Sequence, residues 1–243
     1  IVSNGSLMTA PGVGKRLKAI QQRGGKVVVV DPRRTETARK ADQHLFIRPE
    51  TDALFMLAMV HTLFEEQLVT LGHLEDRIDG LEQLAEAVKP YSPENVAAAC
   101  GMTAEAIREL AREMAAAKSA VCYSRMGAST QSFGGLCQWL NNVLNILTGN
   151  FDSRGGAMFR IMVGHRVAEH TATGAARAAA GVERGAVRLV PRLRAPGEER
   201  GRVRCVSFHV CPKLYVVSPR ALASTLSAAR SAAAAASSPR AAG

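Results

Sequence analysis

The chain has 243 residues, 47% of them hydrophobic, and a formal net charge of +10, which is enough for one domain or two with a core. No apolar run approaches membrane-spanning length, so no membrane segment is expected. The charge is uneven: residues 1–160 carry 18 basic and 17 acidic groups, while residues 161–243 carry 13 and 4, so the basic character belongs to the tail and excludes little about the part before it. Cys100, Cys122, Cys137, Cys205 and Cys211 show no paired framework, which suits a reduced compartment. A cytoplasmic location is expected, with a periplasmic one left open.

Residues 1–10, IVSNGSLMTA, read as a loop of small residues leading into a helix, a setting that offers backbone N–H groups to a phosphate or simply turns the chain. Pro11 to Arg23 reads as that helix, with Val13, Leu17 and Ile20 on one face and Gly24 as its stop. The run APGVGKR is no P-loop: no glycine lies five residues before Gly14, and Arg16 stands where Ser or Thr would hold magnesium. Val27 to Val30 reads as a parallel strand buried on both faces, ended by Asp31-Pro32. Asp31, at the carboxyl end of such a strand, faces the crevice where α/β sheets bind nucleotides. Arg33 and Arg34 are either phosphate partners or a solvated pair, and Asp31 either a ribose or base acceptor or a cap for the Thr35–Lys40 turn. His44 to Arg48 is a second short strand. Thr51 or Asp52 then caps a largely apolar helix reaching about Val69.

Residues 70–102 read as mostly helical, with Ser92-Pro93-Glu94 as a helix start. Thr103 caps a further helix in which Ile107, Leu110, Ala111 and Met114 share a face. Ser119 to Arg125 reads as a returning strand, Met126 to Gly135 as the loop behind it, and Leu136 to Thr148 as the next helix. That loop, at another strand's carboxyl end, should open on the same crevice as Asp31.

The run VVVVDPRRTETARKADQHLFIRPETDALFMLAMVH resembles the cofactor-binding region of the molybdopterin oxidoreductases, which include formate dehydrogenases and nitrate reductases. It has a strand ending in DPR, a T-x-T-A-x-x-A-D run, and P-x-T-D before a helix. Glu50 replaces the family's usual glycine before Thr51-Asp52. MGASTQSFGG resembles the family's M-G-x-x-x-Q-like loop, and LTGNFDSRGGAMF its L-T-G-N run with a G-G turn. The resemblance covers residues 1–159.

It implies an α/β fold: a Rossmann-like parallel sheet with flanking helices, lacking its first strand. It implies bis-molybdopterin guanine dinucleotide with molybdenum or tungsten, and a 4Fe-4S cluster in a part upstream of this chain. Ser3 would help hold a pyrophosphate; Asp31, Pro32, Arg33 and Thr35 would follow the first visible strand toward the cofactor. Glu50, Thr51 and Asp52 would contact the cofactor, with Asp52 at the guanine, where one carboxylate can accept both N1–H and N2–H. Met126, Gly127, and Thr130 or Gln131 would contact the molybdopterin. No catalytic residue and no metal ligand is assigned, so this chain alone is expected to be inactive. The intact parent would act on a small-molecule substrate and pass electrons to a partner.

Residues 160–243 read as a separate basic, Ala/Arg-rich tail with little structure beyond VRCVSFHV and KLYVVS as short strands. Its composition is what GC-rich codons give out of frame, so a shifted reading frame after about Phe159 is expected. Cys205, His209 and Cys211 match no zinc spacing. Two other functions stay open. A Rossmann-type NAD or nucleotide enzyme suits Asp31, although no G-x-G-x-x-G follows a strand. A nucleic-acid-binding protein suits the basic tail, but no module supports specific recognition.

Overall fold

The computed structural model describes residues 12–157 and the backbone of residues 187–188. Ser3, the Cys205–Cys211 cluster, the VRCVSFHV and KLYVVS runs and nearly all of the tail lie outside the described residues. The described part is helix-rich with small parallel sheets, in keeping with an α/β fold.

Helix α1 (Val13–Gln22) ends where expected: Gly24 takes φ +80° and donates its N–H to the Gln21 carbonyl at 2.9 Å, a left-handed stop that glycine adopts without strain. Strand β1 (Val28–Val30) and strand β2 (Gln43–Leu45) pair in parallel, with Val28 opposite Gln43 and Val30 opposite Leu45. Residues 31–42 make the crossover, which contains the short helix α2 (Glu36–Lys40). The alternation of the valine run sorts it between two cores. Val27 and Val29 pack with Leu17 and Ala38, on the side of α1 and α2; Val28 and Val30 join the main core.

That main core is built around helix α3 (Asp52–Glu65), in which every residue from Asp52 to Val60 is buried, with Thr62 and Leu63. A helix apolar on all sides needs neighbours on all sides. They are α4 (Leu81–Val88), α5 (Pro93–Cys100), α6 (Ala104–Ala116) and α8 (Gly134–Leu147). Ser92 and Thr103 cap α5 and α6 as expected: their hydroxyls accept from the Asn95 and Ala106 N–H groups at 3.3 and 3.2 Å. Ile107, Leu110, Ala111 and Met114 are the buried face of α6. On its outer side Arg108 pairs with Glu65, Glu66 and Glu94, and Arg112 with Glu66 and Glu105. The Arg112 hydrogen bond holds the Glu66 carboxyl below its ordinary range, and Glu94 is held low by its own backbone N–H and by Arg108. Their stabilising effect is therefore present above the ordinary glutamate range and lost as pH falls through the lowered values. Both carboxylates reach solvent, Glu94 exposed and Glu66 partly so, which keeps the effect small.

Two expectations are corrected here. Ser119 to Arg125 is not a strand; only Tyr123 holds a single bridge position. The backbone there is paired by side chains instead. The Asn145 carboxamide accepts from the Cys122 N–H and donates to the Cys122 carbonyl, each at 2.8 Å, while Asn150 Oδ1 accepts from the Ala120 N–H at 2.8 Å. An amide side chain offers the same donor and acceptor as a neighbouring peptide, so two asparagines replace a strand partner. Second, the tail contributes a two-residue strand: β3 (Ile78–Asp79) pairs in parallel with β4 (Val187–Arg188), outside the runs expected to form strands.

Candidate functional site

Asp31 follows β1 directly and is buried. Its N–H donates to the Leu45 carbonyl at 3.1 Å, continuing the pairing for one residue. Its Oδ1 accepts from the Arg33 N–H at 2.8 Å; this Asx turn swings the chain out of the sheet. His44 Nε2 lies 3.1 Å from the Asp31 carbonyl oxygen. Pro32, Arg33 and Arg34 are exposed beyond the turn. The cap of α2 is Thr35, not Asp31: Thr35 is buried and its hydroxyl accepts from the Ala38 N–H at 3.3 Å.

The turn before α3 is fastened to the end of α5. The Arg48 N–H donates to the Cys100 carbonyl at 2.8 Å, and the Cys100 thiol donates to the Thr51 carbonyl at 3.8 Å. Glu50 sits in this turn at φ +68°, a left-handed conformation that costs a residue with a Cβ about 1–2 kcal/mol. That is the backbone a glycine takes freely, and it accounts for the glycine of the P-x-T-D pattern. Glu50→Gly is therefore expected to raise the urea midpoint, with a gain in unfolding free energy of up to about 1 kcal/mol after the entropy cost of glycine, while a β-branched Glu50→Val lowers it. An unchanged midpoint in both variants would remove the strain argument.

Thr51 is the N-cap of α3 by position, but its side chain makes no capping hydrogen bond; the hydroxyl donates back to the Arg48 carbonyl at 2.7 Å. Asp52 is the first helical residue. The expectation that either side chain caps the helix is thus corrected for Thr51, whose hydroxyl is spent on the preceding turn. Asp52 is buried and points at the second loop: Gln131 Nε2 donates to Asp52 Oδ2 at 2.6 Å and to the Gly127 carbonyl at 2.7 Å. Both neighbours are acceptors, which fixes the orientation of the Gln131 amide. Its Oε1 is buried with no partner.

Burial is the largest influence on the Asp52 carboxyl and raises it; the Gln131 hydrogen bond and the Asp52 backbone N–H oppose this, and Asp31 adds to it. Asp31 and Asp52 therefore act within one field, although the first ends a strand and the second begins a helix. Burial also pushes nearby thiols up, Cys100 to about 11 and Cys137 to about 12, with the Asp52 charge adding to both. They are neutral thiols at neutral pH, which offers no nucleophilic thiolate. Among the described residues no group of three or more His, Cys, Asp or Glu is placed to hold a metal ion.

The second loop is a one-turn helix, α7 (Met126–Ser129), rather than open coil. The Ser129 and Thr130 hydroxyls donate to the Arg125 and Met126 carbonyls at 3.0 and 2.8 Å. Thr130 thus faces its own turn, and Gln131 reaches Asp52; Met126 is 63% exposed on the loop's outer side. Gln138 of α8 donates to the Ser124 and Ser129 hydroxyls at 2.9 and 2.8 Å, pinning both ends of α7. The structure brings together Asp52, Gly127 and Gln131 through direct hydrogen bonds, with Asp31 near enough for its charge to act on Asp52, and leaves Pro32, Arg33, Glu50, Met126 and Thr130 exposed in their loops. Sequence reasoning missed Gln138, Asn145 and Asn150 as the residues that hold the loop. Asn145 had a visible signal: a polar residue inside the apolar run of α8, one turn after Asn141.

The family model for molybdopterin oxidoreductases matches residues 3–232. This chain belongs to the molybdopterin oxidoreductase family. The match runs past residue 159, into the segment that the residue pattern sets apart. Among the relatives of this molybdopterin oxidoreductase chain is the F420-dependent formate dehydrogenase subunit alpha of Methanocaldococcus jannaschii, 31% identical over 160 residues, which are 64% of this chain and 23% of that protein. Formate dehydrogenase H of Escherichia coli is 35% identical over 142 residues, 58% of this chain and 20% of that protein. The solved structure of acetylene hydratase from Pelobacter acetylenicus superposes with a TM-score of 0.57 at 30% identity, covering 63% of this chain and 22% of that one. The chain thus spans about a quarter or less of the relatives it matches. The family implies a molybdenum or tungsten pterin cofactor. No helix among the described residues is long and apolar enough to cross a membrane.

Proposed function

We propose that this segment binds the guanine dinucleotide part of a bis-molybdopterin guanine dinucleotide cofactor, within a formate dehydrogenase-like or nitrate reductase-like oxidoreductase. The observation that carries the reading is Asp52: a buried carboxyl at the start of α3 whose side-chain donor among the described residues is the Gln131 N–H, from a loop 79 positions away. A buried acceptor needs donors, and the guanine edge presents two in a row. The unpartnered Gln131 Oε1 marks the same place as a polar site short of a partner. These residues fit the group.

In this reading the β1–α2–β2 unit belongs to a Rossmann-like sheet whose first strand precedes Ile1, and residues 1–159 form the dinucleotide-binding part, with 160–243 a separate segment. Asp52 takes the guanine. Asp31 takes a ribose hydroxyl or base edge, with Thr51 behind and Glu50 at the rim. Ser3, Pro32, Arg33 and Thr35 line the phosphate side. Met126, Gly127 and Thr130 meet the cofactor from the second loop, with Gln131 turned onto Asp52. When bound, the cofactor supplies two-electron chemistry, and this segment supplies binding and orientation. The 4Fe-4S cluster, the metal-ligating residue and the contact with an electron-transfer partner would lie in other parts of the parent. This segment by itself would be inactive.

The test is Asp52→Asn. Ionised Asp accepts twice, whereas Asn sets a donor against guanine's own donors. Each charge-assisted bond is worth roughly 1.5–3 kcal/mol, so the guanine-nucleotide and molybdenum content of the purified parent should fall about tenfold or more. In the empty chain the same substitution should raise stability at neutral pH. Because burial raises the folded-state value above the ordinary 3.8, ionised Asp52 destabilises the fold as pH rises through the raised value. The advantage of Asn should therefore vanish below the ordinary value. Wild-type cofactor content in Asp52→Asn would refute the guanine site. NADH titrated beside GDP separates this reading from an NAD enzyme.

A further inference from the structure

Gln131 has two N–H donors, and both are used: one on Asp52 Oδ2 at 2.6 Å, the other on the Gly127 carbonyl at 2.7 Å. Its remaining polar atom, Oε1, is buried and has no partner. The side chain is therefore well placed for Asp52 and badly placed for itself. The helix before it does not need this contact to keep its shape: Ser129, Thr130 and Gln138 hold α7 through their own hydrogen bonds. The Asp52 contact thus does something for Asp52 rather than for the loop. A buried carboxylate left with no donor is costly, and Gln131 supplies one N–H of the kind a nucleobase presents.

We propose that Gln131 is a stand-in for the ligand: in the empty chain its side-chain N–H occupies the Asp52 oxygen that a guanine N–H takes on binding, so Gln131 governs how tightly the base is held. This rests on the guanine reading of Asp52 given above. Binding then exchanges one N–H donor for another on Asp52 and lets Gln131 turn away, which frees the orphaned Oε1 to reach a partner. Gln131 is consequently a competitor of the base, not one of its contacts. The two roles predict opposite signs. Removing a competitor strengthens binding, while removing a contact weakens it.

The experiment is calorimetric titration of GDP into the 243-residue chain and three variants. Gln131→Met keeps the length of the side chain without its donor, and Gln131→Ala removes it altogether, so a folding defect peculiar to one is exposed by the other. Thermal melting of each is recorded alongside. The loss of one charge-assisted hydrogen bond in the empty state should tighten GDP binding by up to about tenfold in both. Asp52→Asn should weaken it by a similar factor. Weaker or unchanged GDP binding in both Gln131 variants, with Asp52→Asn still weakened, overturns the stand-in role and leaves the guanine site intact. GDP binding that is absent throughout, or indifferent to Asp52→Asn, overturns the guanine site and the stand-in with it.

Discussion

Gly134→Ala should displace the loop that carries Gln131, while Gly135→Ala, one residue on, should not. A Cβ on Gly134 would lie 1.9 Å from the Ser129 carbonyl oxygen and 2.5 Å from its carbon. Those are backbone atoms, so no side-chain rotation can relieve the overlap; α7 must leave the start of α8. Overpacking of this kind costs about 1–3 kcal/mol, and it should draw Gln131 off Asp52. A Cβ on Gly135 would meet nothing within 4 Å, and alanine there should gain about 0.5–1 kcal/mol as a better helix former. Two adjacent glycines in one helical turn should thus give opposite shifts in a urea melt. Equal shifts would mean that α7 does not pack on α8 as described.

Asn145→Leu is expected to have the larger effect on the loop before Met126. Asn145 is fully buried. Its carboxamide pairs with the Cys122 N–H and carbonyl and with the Asn141 carbonyl at 2.7 Å. Leucine has similar volume and no polar atoms, so it leaves the buried Cys122 N–H and carbonyl unpaired, while the Asn141 carbonyl keeps its helical N–H partner. At about 1–3 kcal/mol for each, the sum reaches several kcal/mol unless the loop peels away to water. The Cys122 thiol reports which occurs. It is buried, and burial pushes it up to about 11, so it should resist alkylation at neutral pH in the wild type. Peptide mapping should find Cys122 labelled in Asn145→Leu under conditions that leave Cys100 and Cys137 untouched. An unlabelled Cys122 with unchanged stability would show that the amide is not what holds the segment.

These two variants also show where the residue pattern was readable and where it was not. The valine run declared a strand buried on both faces, and the all-apolar helix after Asp52 declared a central one, because both signals are local periodicities. The caps at Ser92 and Thr103 were legible for the same reason: a hydroxyl three residues before its N–H partner is a local arrangement. Ser119–Arg125 was misread because its composition suits a strand, while its hydrogen-bond partners come from Asn145 and Asn150, more than twenty residues away. No propensity records such a partner. The backbone angle of Glu50 was likewise hidden, since only the departure from the family's glycine hinted at it. At the candidate site, the expectation that Asp31 and Gln131 share a crevice leaned on two strand ends, of which only that of β1 is present. The direct bond between Gln131 and Asp52 could not be read from the sequence.

The division of the valine run between two cores has a consequence for local opening. The side holding Leu17, Val27, Val29 and Ala38 is thin, and the side built on α3 is thick. Buried apolar area sets how much free energy a region needs to open by itself. The α1–α2 layer can therefore loosen while the bundle around α3 stays closed. Asp31 to Thr35 lies on that seam, whereas Asp52 and Gln131 belong to the closed side. In the proposed binding mode the ribose would meet a breathing wall at Asp31 and the guanine a fixed one at Asp52, so the ribose contact would loosen before the base contact.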